Sequence, residues 1–420
     1  MPFQNHPLVN FVVVITYFMK AVLLFLLFLA GTAQAQSPKK SDLDVVGRLQ
    51  EHVAYLADDK LEGRRTGTAG EKLAYEYISK KFKSAGLARR NGADTYLQVF
   101  DANAKEKRLG HNVVGFIDNK APFTIVLGAH YDHLGYGEDK NSLYTDTIPM
   151  IHNGADDNAS GTASLIELGR WLKKSKLKKY NYLLVAFSGE ELGLFGSKYF
   201  VDHLPVDAKS INYMINMDMV GRLNDSSRNI NIGGYGTSPD WSKLVKTDKT
   251  YFNIKIDSSG SGPSDHTSFY RKNIPVLFFF TGTHTDYHKP GDDKEKINYK
   301  GMMEIVTYIK NIVTLSNEME KMTFAKTREV SMNRSSFKVT LGVMLDYTFA
   351  GPGIFVEGVT SGRPGEKAGV LAGDVIIQLG GQEIENVEAY MKELGKFEKG
   401  QASTLKVKRA NKELMLPVVF

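Results

Sequence analysis

The chain contains no cysteine among its 420 residues. Disulfide bonds, thiol nucleophiles and thiolate metal ligands are therefore excluded, as is a lipid anchor attached through an N-terminal cysteine. A metal bound by this protein must take imidazole nitrogen or carboxylate oxygen as its ligands. The chain has 10 histidines and 47 acidic residues to supply them.

The chain also lacks a basic stripe. Its 53 Lys and Arg residues barely exceed the acidic ones, for a formal net charge of +6. The densest basic cluster, Lys173 to Lys179, has the pattern of a solvated helix end and no interleaved aromatic residues. The sequence therefore predicts no nucleic-acid partner.

Three common catalytic motifs are missing. There is no His-Glu-x-x-His zinc helix, no Gly-x-Ser-x-Gly nucleophile elbow and no phosphate-binding Gly-x-x-x-x-Gly-Lys. Ser264, Asp265 and His266 stand side by side, but adjacent residues rarely converge as a triad. Serine hydrolase and P-loop chemistry are therefore disfavoured.

The N-terminal segment lacks an apolar run long enough to span a bilayer, because Lys20 interrupts it. From Met19 the chain has one basic residue, an apolar core and then the small-residue pattern AQA at 33–35, which is typical of a secretory signal. We expect residues 1–35 to be a signal peptide, with Met19 as an alternative start. This predicts an exported protein, periplasmic or extracellular, without a stable membrane span after cleavage. An anchored helix over 11–30 is the weaker alternative.

Short apolar runs alternate with helical periodicity between residues 41 and 320. Strands are predicted at 112–117, 124–129, 182–187, 212–217, 229–233 and 275–280. Helical patterns occur at 41–87, at 159–174 and before Glu320. This alternation predicts an α/β fold: a three-layer α/β/α domain whose mixed, mostly parallel sheet is covered on both faces.

The character of the chain changes after residue 320. Residues 321–334 are polar and aperiodic, which predicts a linker. Residues 335–420 contain short apolar runs, interrupted by an amphipathic stretch at 387–397. We therefore expect a large α/β domain at 36–320 and a small β-rich domain at 335–420.

Histidines and carboxylates follow the predicted strands, at the edge where open α/β sheets bind their ligands. The residues are His130, Asp132, His133, Glu190, Glu191, Asp218, His284, Asp286 and His288, with Asp156 and Asp157 just before a helix. No Lys or Arg lies within six residues of Glu190 and Glu191. So many carboxylates would repel each other unless cations bind among them. A metal pair with a bridging carboxylate needs at least two histidines and three carboxylates, and this set contains them.

Six motifs carry a family resemblance. GAHYDHLG, NGADDNASG, SGEELGLFGS, NMDMVG, SDHTSF and YHKPGDD occur in the order found in metallopeptidase family twenty-eight, which the chain resembles over about residues 41–320. That family includes bacterial leucyl aminopeptidases, glutamate carboxypeptidase II and the glutaminyl cyclases. The resemblance implies a zinc peptidase with two Zn²⁺ ions per chain.

The resemblance also implies the ligands. His130 and Asp218 would bind one zinc, Glu191 and His288 would bind the other, and Asp157 would bridge them.

Two further catalytic roles follow from the same motifs. Glu190 would be the general base, and Asp132 would orient His130 through its other ring nitrogen. No role as a ligand is implied for His133, His152, Asp156, His266, His284 and Asp286. No tyrosine can be matched to the oxyanion-stabilising role that some aminopeptidases of the family use.

The C-terminal region resembles a PDZ domain of the kind found in bacterial proteases. Residues 340–345 look like its carboxylate-binding loop and strand, and residues 364–384 look like its strongest signature. Such domains add an extended peptide to a sheet edge. Two roles stay open: binding a peptide or protein C-terminus, or docking on the catalytic domain and shaping access.

These features predict an exported metallo-aminopeptidase acting on peptides with a free N-terminus. One alternative is a metallocarboxypeptidase or dipeptidase on the same scaffold, in which Arg222 would bind the substrate carboxylate. Glutaminyl cyclisation, which normally uses one zinc, is a second alternative. A non-catalytic, metal-stabilised protein that binds ligands through its PDZ domain is the third.

Overall fold

The computed structural model describes residues 40–420 apart from 90–93, 104–105, 140, 145, 147, 247–251, 328–338, 346–348, 350, 360–361, 386 and 411. The expected signal peptide lies outside the described residues, as does the second half of the expected linker. In the described part of the chain, no helix is long and apolar enough to cross a membrane.

An eight-stranded sheet forms the centre of the first domain. Its strands are β1 (Leu97–Asn103), β2 (Arg108–Ile117), β3 (Thr124–His130), β4 (Asn181–Phe187), β5 (Ile211–Met217), β6 (Asn229–Gly233), β7 (Asn253–Ile256) and β8 (Val276–Phe280). The α-helices are α1 (Lys40–Leu56), α2 (Ala69–Ala85), α3 (Gly161–Lys174), α4 (Phe195–Asp202), α5 (Trp241–Leu244), α6 (His266–Tyr270) and α7 (Tyr299–Ser316). Short 3₁₀ segments occur at Asp59–Arg64, Ala208–Ser210, Tyr235–Thr237 and Lys294–Lys296, and a π-helical turn at Ala155–Ser160.

The strand order is β1-β2-β4-β3-β5-β8-β6-β7. Strands β4, β3, β5 and β8 run parallel, and so do β6 and β7, while the β1/β2, β2/β4 and β6/β8 pairs are antiparallel. All six predicted strands are present, and the predicted mixed, mostly parallel sheet is confirmed.

Both faces of the sheet are covered. In β3, Ile125 and Leu127 join the larger core cluster, which includes residues of α1, α2, α3 and α7, whereas Val126 joins a second cluster with residues of α4 and α6. This alternation follows from the two-residue period of a strand. The three-layer α/β/α arrangement predicted from the sequence is therefore present.

Local sequence signals explain the ends of the longer helices. Thr68 caps α2 by accepting the Glu71 N–H, and Gly86 ends it in the left-handed conformation with φ 81°. Asn298 caps α7 by accepting the Gly301 N–H at 2.9 Å. These caps fix where the helices that cover the sheet begin and end.

The second domain has its own antiparallel sheet and its own core. Its strands are β9 (Val343–Leu345), β10 (Ile354–Val359), β11 (Val375–Leu379), β12 (Gln382–Glu383), β13 (Ala402–Arg409) and β14 (Lys412–Val419), and its helices are α8 (Pro364–Lys367) and α9 (Val387–Leu394). The order is β14-β13-β11-β10-β9, with β12 paired to β11. The core cluster of this domain runs from Leu341 to Phe420. The predicted small β-rich domain is confirmed.

Candidate metal centre

The parallel strands in the middle of the sheet end at one edge, and the five expected ligands gather there. His130 is the last residue of β3, Asp218 directly follows β5, Glu191 follows β4 and His288 follows β8. Asp157 lies in the π-helical turn before α3. This is the edge where open α/β sheets bind ligands.

Each oxygen of the Asp157 carboxylate faces a different pair of side chains. Asp157 Oδ1 lies 3.3 Å from His130 Nε2, which lies 3.2 Å from Asp218 Oδ1. Asp157 Oδ2 lies 3.2 Å from His288 Nε2, which lies 3.3 Å from Glu191 Oε2. A carboxylate that bridges two metal ions needs this arrangement.

Backbone carbonyls orient both histidines. His130 Nδ1 lies 3.2 Å from the Asp132 carbonyl oxygen, and His288 Nδ1 lies 2.8 Å from the Asn141 carbonyl oxygen. Because a carbonyl only accepts, each Nδ1 carries a proton, which leaves Nε2, the nitrogen that faces the carboxylates, as the one that could bind a metal ion. The Asp132 carboxylate is expected to orient His130, but its Oδ1 is 3.7 Å from Nδ1, so the carbonyl of the same residue makes the shorter contact.

Asp292 holds the backbone on either side of the bridge. Its Oδ2 accepts the N–H of Asp156 at 2.9 Å and the N–H of Asp157 at 3.0 Å. Its Oδ1 accepts from Arg222 at 3.2 Å, and the residue is fully buried. The motif YHKPGDD contains Asp292, but only His288 was assigned from it. The motif shows that Asp292 is present but not that its side chain accepts from the backbone N–H groups of Asp156 and Asp157.

The site is crowded with negative charge. Burial alone would lower the pKa of His130, but the charge of Asp218 and hydrogen-bonded carboxylates hold that pKa well above its ordinary value. The pKa of His288 is raised in the same way, against burial, by Glu191 and Asp157. Burial, reinforced by the charge of Glu191, raises the pKa of the Glu190 carboxyl well above its usual range. Divalent cations would offset this charge.

The donors present fit zinc. In the described residues, His130, Asp157 and Asp218 offer ligand atoms within 4.8 Å of one another, and so do His133, Asp157 and Glu191. Imidazole nitrogen and carboxylate oxygen are ligands that Zn²⁺ accepts without cysteine.

His133 is a competing nitrogen that the motifs did not indicate. Its Nδ1 lies 3.0 Å from Glu191 Oε1 but 4.0 Å from Asp157 Oδ2. His288 lies within 3.3 Å of both carboxylates. The position of His288 between the two carboxylates favours it over His133 as the ligand.

Thr66 and Asp132 fix the loop that carries Glu190. The Glu190 N–H donates to Asp132 Oδ1 at 3.2 Å, and the Gly189 N–H donates to Thr66 Oγ1 at 3.1 Å. Thr66 in turn donates to Asp132 Oδ2 at 3.0 Å. Glu190 is 5% exposed and lines the cavity over the ligands. The structure therefore gives Asp132 a contact with the loop that carries Glu190 as well as with His130.

A buried glutamate supports this loop from the other side. Glu71 accepts from Ser188 Oγ at 2.6 Å, from Tyr131 Oη at 3.1 Å, and from the N–H groups of Gly67 at 2.8 Å and His111 at 3.2 Å. These donors satisfy a carboxylate that is 1% exposed. The available sequence signal, a Thr-x-x-Glu pattern, predicts the start of α2 but not this contact.

Arg64 is the nearby cation that the local sequence does not reveal. Burial lowers its pKa to about 10, opposed by the charges of Asp157 and Asp132. Its guanidinium donates to four backbone carbonyls, those of Tyr131, Leu56, Asn153 and Gly154. One guanidinium cannot neutralise the whole carboxylate cluster, so the centre still lacks positive charge.

The other histidines named in the sequence lie outside the proposed ligand set. His284 Nε2 lies 3.3 Å from Asp156 Oδ2, and His152 Nε2 lies 2.7 Å from Ser142 Oγ. His266 stacks on Phe278 with ring centroids 4.4 Å apart.

Ser264, Asp265 and His266 do not align as a triad. Ser264 Oγ accepts from Asn216 Nδ2 at 2.8 Å. Burial lowers the pKa of His266 to about 3, so the ring is a poor base.

Arg222, the expected carboxylate-binding residue of a carboxypeptidase, is engaged elsewhere. It pairs with Asp286 at 3.1 Å and with Asp292 at 3.2 Å. It does not line the cavity over the ligands, which has a volume of about 160 Å³. Among the described residues that do line it, none is Lys or Arg.

Comparison with known proteins agrees with this fold. Residues 112–313 match the model of peptidase family M28, and residues 328–419 match the model of the PDZ domain. Residues 112–313 therefore belong to peptidase family M28, the family that the sequence motifs indicated, and the C-terminal domain is a PDZ domain.

Two relatives and one solved structure illustrate the likeness. Leupeptin-inactivating enzyme 1 of Streptomyces exfoliatus is 28% identical over 278 residues, covering 64% of this chain and 56% of that protein. Aminopeptidase YwaD of Bacillus subtilis is 26% identical over 263 residues, covering 60% of this chain and 54% of that protein. The chain thus spans little more than half the length of these curated relatives. A leucine aminopeptidase precursor from Bacteroides thetaiotaomicron superimposes with a TM-score of 0.54 at 18% identity, covering 64% of this chain and 96% of that one, which shows the fold alone.

Proposed function

We propose that this protein is an exported metallo-aminopeptidase that hydrolyses N-terminal peptide bonds with a co-catalytic pair of zinc ions. One observation carries the proposal. The two oxygens of Asp157 face two separate histidine–carboxylate pairs, within a cavity that Glu190 also lines.

In this proposal the five residues bind two Zn²⁺ ions per chain. His130 and Asp218 would hold one ion, Glu191 and His288 would hold the other, and Asp157 would be shared between them. Bound zinc supplies Lewis acidity, which acidifies a water molecule and polarises a carbonyl oxygen.

Glu190 is the proposed proton carrier. It lies next to Glu191 in sequence, and the contacts of its backbone N–H with Asp132 fix its loop at the cavity wall. A carboxylate placed there accepts the proton of the attacking water and delivers it to the leaving amine. Asp132 is a positioning residue, because it contacts both the Glu190 backbone and His130.

The cavity suits a substrate with a free amine better than one with a free carboxylate. Its described lining contains carboxylates and no Lys or Arg, and Arg222 is paired with Asp286 and Asp292. Two of these carboxylates, Glu190 and Asp257, lie outside the proposed zinc ligand set and would attract a substrate ammonium group, whereas no Lys or Arg of the described lining could pair with a substrate carboxylate. This charge distribution favours an aminopeptidase over a carboxypeptidase.

A matched peptide panel tests the proposal. We expect a free tripeptide to be cleaved after its first residue, its C-terminally amidated form to be cleaved equally well, and its N-acetylated form to resist. Chelator should abolish cleavage and added zinc should restore it. Equal cleavage of the acetylated peptide would contradict the aminopeptidase assignment, and bound zinc without any turnover would favour a binding protein.

Export and the role of the PDZ domain belong to the same proposal. Export rests on the signal pattern of residues 1–35, and N-terminal sequencing of the mature protein should find a start near residue 36. An intact N-terminus in the mature protein would contradict export.

For the PDZ domain, capture of a peptide or protein C-terminus and control of access to the catalytic domain both remain as proposals.

A further inference from the structure

The cavity over the metal centre contains a carboxylate that the proposed mechanism does not use. Asp257 lines the same cavity as His130, Glu190 and Asp218, but it lies beyond the end of β7, two strands away from β8. It belongs neither to the proposed ligand set nor to the loop that carries Glu190.

Strand register places Asp257 on the cavity face of the sheet. Asn231 pairs with Phe280, and Gly233 pairs with Phe278, across β6 and β8. Phe279 and Ile232, which alternate with them, belong to the core on the opposite face. The β6/β7 pairing continues with the Asp257 N–H donating to the Ile232 carbonyl at 3.0 Å.

Gly233 leaves a gap between an aromatic ring and this carboxylate. In the sheet, Phe278, Gly233 and Asp257 lie on three neighbouring strands, so Phe278 and Asp257 are about 10 Å apart across two strand spacings. Glycine has no side chain to fill the space between them. A Cβ added to Gly233 would lie 3.4 Å from Phe278 Cβ.

The near wall of this gap is aromatic. Phe278 and Phe280 stack with ring centroids 5.9 Å apart. His266 also stacks on Phe278, with ring centroids 4.4 Å apart. Burial lowers the pKa of His266 to about 3, so this ring is neutral. The wall therefore offers apolar contact without positive charge.

The far end of the gap offers hydrogen-bond acceptors. Burial raises the pKa of the Asp257 carboxyl, partly opposed by the Ser259 N–H, which donates to it at 2.9 Å. Asn231 is 9% exposed, and its Oδ1 has no hydrogen-bond partner in the described part of the chain. Lys255 pairs with Asn231 across β6 and β7 and lies two residues before Asp257, on the same face of the sheet. It does not line the cavity.

These features define a specificity subsite, and the inference rests on the proposed aminopeptidase activity. We propose that the gap bounded by Phe278, Gly233 and Asp257 binds the side chain of an N-terminal lysine or arginine. The aliphatic stem lies along the aromatic rings, and the cationic tip reaches Asp257 and Asn231. A leucine side chain would bury Asn231 Oδ1 and the carboxylate of Asp257 without supplying a further donor, which is unfavourable.

The test compares lysine with norleucine, which has nearly the same stem and no charge. We expect the chain to hydrolyse Lys-Ala-Ala about 10- to 100-fold more efficiently, in kcat/KM, than Nle-Ala-Ala, the range expected of a hydrogen-bonded charge. In Asp257→Asn this preference should shrink about tenfold or more, while cleavage of Ala-Ala-Ala is retained. The control is Asp202→Asn, an exposed carboxylate paired with Lys272, which should leave the preference unchanged.

A second variant probes the gap itself. Gly233→Ala places a methyl group at ordinary contact distance from Phe278, so the variant should fold. It should reduce cleavage of Lys-Ala-Ala more than cleavage of Ala-Ala-Ala. A wild-type chain that cleaves Nle-Ala-Ala as well as Lys-Ala-Ala overturns the inference, as does a lysine preference that survives Asp257→Asn.

Calorimetry separates this inference from the proposed activity. Lysinamide should bind the zinc-loaded chain more tightly than norleucinamide, and Asp257→Asn should remove the difference. If no peptide is cleaved but this binding difference is present, the aminopeptidase proposal fails and the subsite stands. If peptides are cleaved and the two amides bind equally, the subsite fails alone.

Discussion

Glu190 and Glu191 are adjacent residues with different surroundings. Glu191 Oε2 faces His288 and Oε1 faces His133, both within 3.3 Å. Burial and the charges around it raise the pKa of Glu190, whereas two histidines hold the pKa of Glu191 at about 2 against burial. The contacts of Glu191 with two histidines support it as a ligand, and the position of Glu190 at the cavity wall supports it as the proton carrier.

Replacing Glu190 tests this division of roles. Glu190→Gln keeps the shape of the side chain but cannot accept a proton, so kcat should fall by about 10²- to 10⁴-fold. The metal content, measured by inductively coupled plasma mass spectrometry, should stay that of the wild type. Glu76→Gln, at an exposed position of α2, is the control and should alter neither quantity. Full activity in Glu190→Gln would remove Glu190 from the mechanism.

At the residue scale the sequence was informative where a motif carries the chemistry. His130, Asp157, Glu191, Asp218 and His288 lie in family motifs, and the fold brings all of them together. Apart from Asp132, the supporting residues were not predicted, because their roles depend on contacts with backbone groups. Arg64 donates to four carbonyls, and Glu71 accepts from two N–H groups. Neither role has a characteristic spacing along the chain.

The loop after β8 organises the centre at the scale of elements. It supplies His288, and a few residues later it supplies Asp292, which accepts the N–H groups of Asp156 and Asp157. The same loop therefore provides one ligand and fixes the turn that presents the bridge.

Two adjacent carboxylates allow a matched test of this loop. Asp292→Asn replaces an acceptor oxygen with a donor next to two backbone N–H groups, so zinc affinity should fall by about 10- to 100-fold. Asp293→Asn is the control, because in the described part of the chain the Asp293 side chain accepts only from Asn153, at 3.1 Å. Competition with a chromophoric chelator measures the zinc affinity of both variants. Equal affinities in the two variants would show that Asp292 does not position the bridge.

Element prediction failed at the two edges of the sheet. β1 has a mostly exposed or half-buried pattern, and β7 has only four residues, so neither presents a buried apolar run. The turn at Ala155–Ser160 was predicted only as a loop before a helix, which agrees with the non-helical φ and ψ angles of Asp157 and Asn158. Central strands such as β3 and β4 are buried along their whole length and were easily recognised.

At the scale of the whole molecule, the core clusters of the described residues divide between the two domains, with two clusters in the peptidase domain and one in the PDZ domain. The described core of the peptidase domain lies between Leu49 and Met322, and that of the PDZ domain lies between Leu341 and Phe420. The domain boundary at 321–334 remains a prediction, and the match to the PDZ model begins at residue 328.

Removing the PDZ domain tests this independence. A chain ending at residue 327 should fold, bind zinc and cleave tripeptides within about twofold of the full chain, because each core closes on its own. Longer peptides should show a changed KM if the PDZ domain captures C-termini or shapes access. Loss of tripeptide cleavage in a folded truncated chain would show that the catalytic domain depends on the PDZ domain.

The number of zinc ions bound per chain tests the central claim most directly. Plasma mass spectrometry on the purified full chain should give two zinc ions for the wild type, and one for each of His130→Ala and His288→Ala. His133→Ala should keep two, because His288 is the nitrogen that faces both Asp157 and Glu191. One zinc in the wild type, or two retained in both ligand variants, would contradict the account.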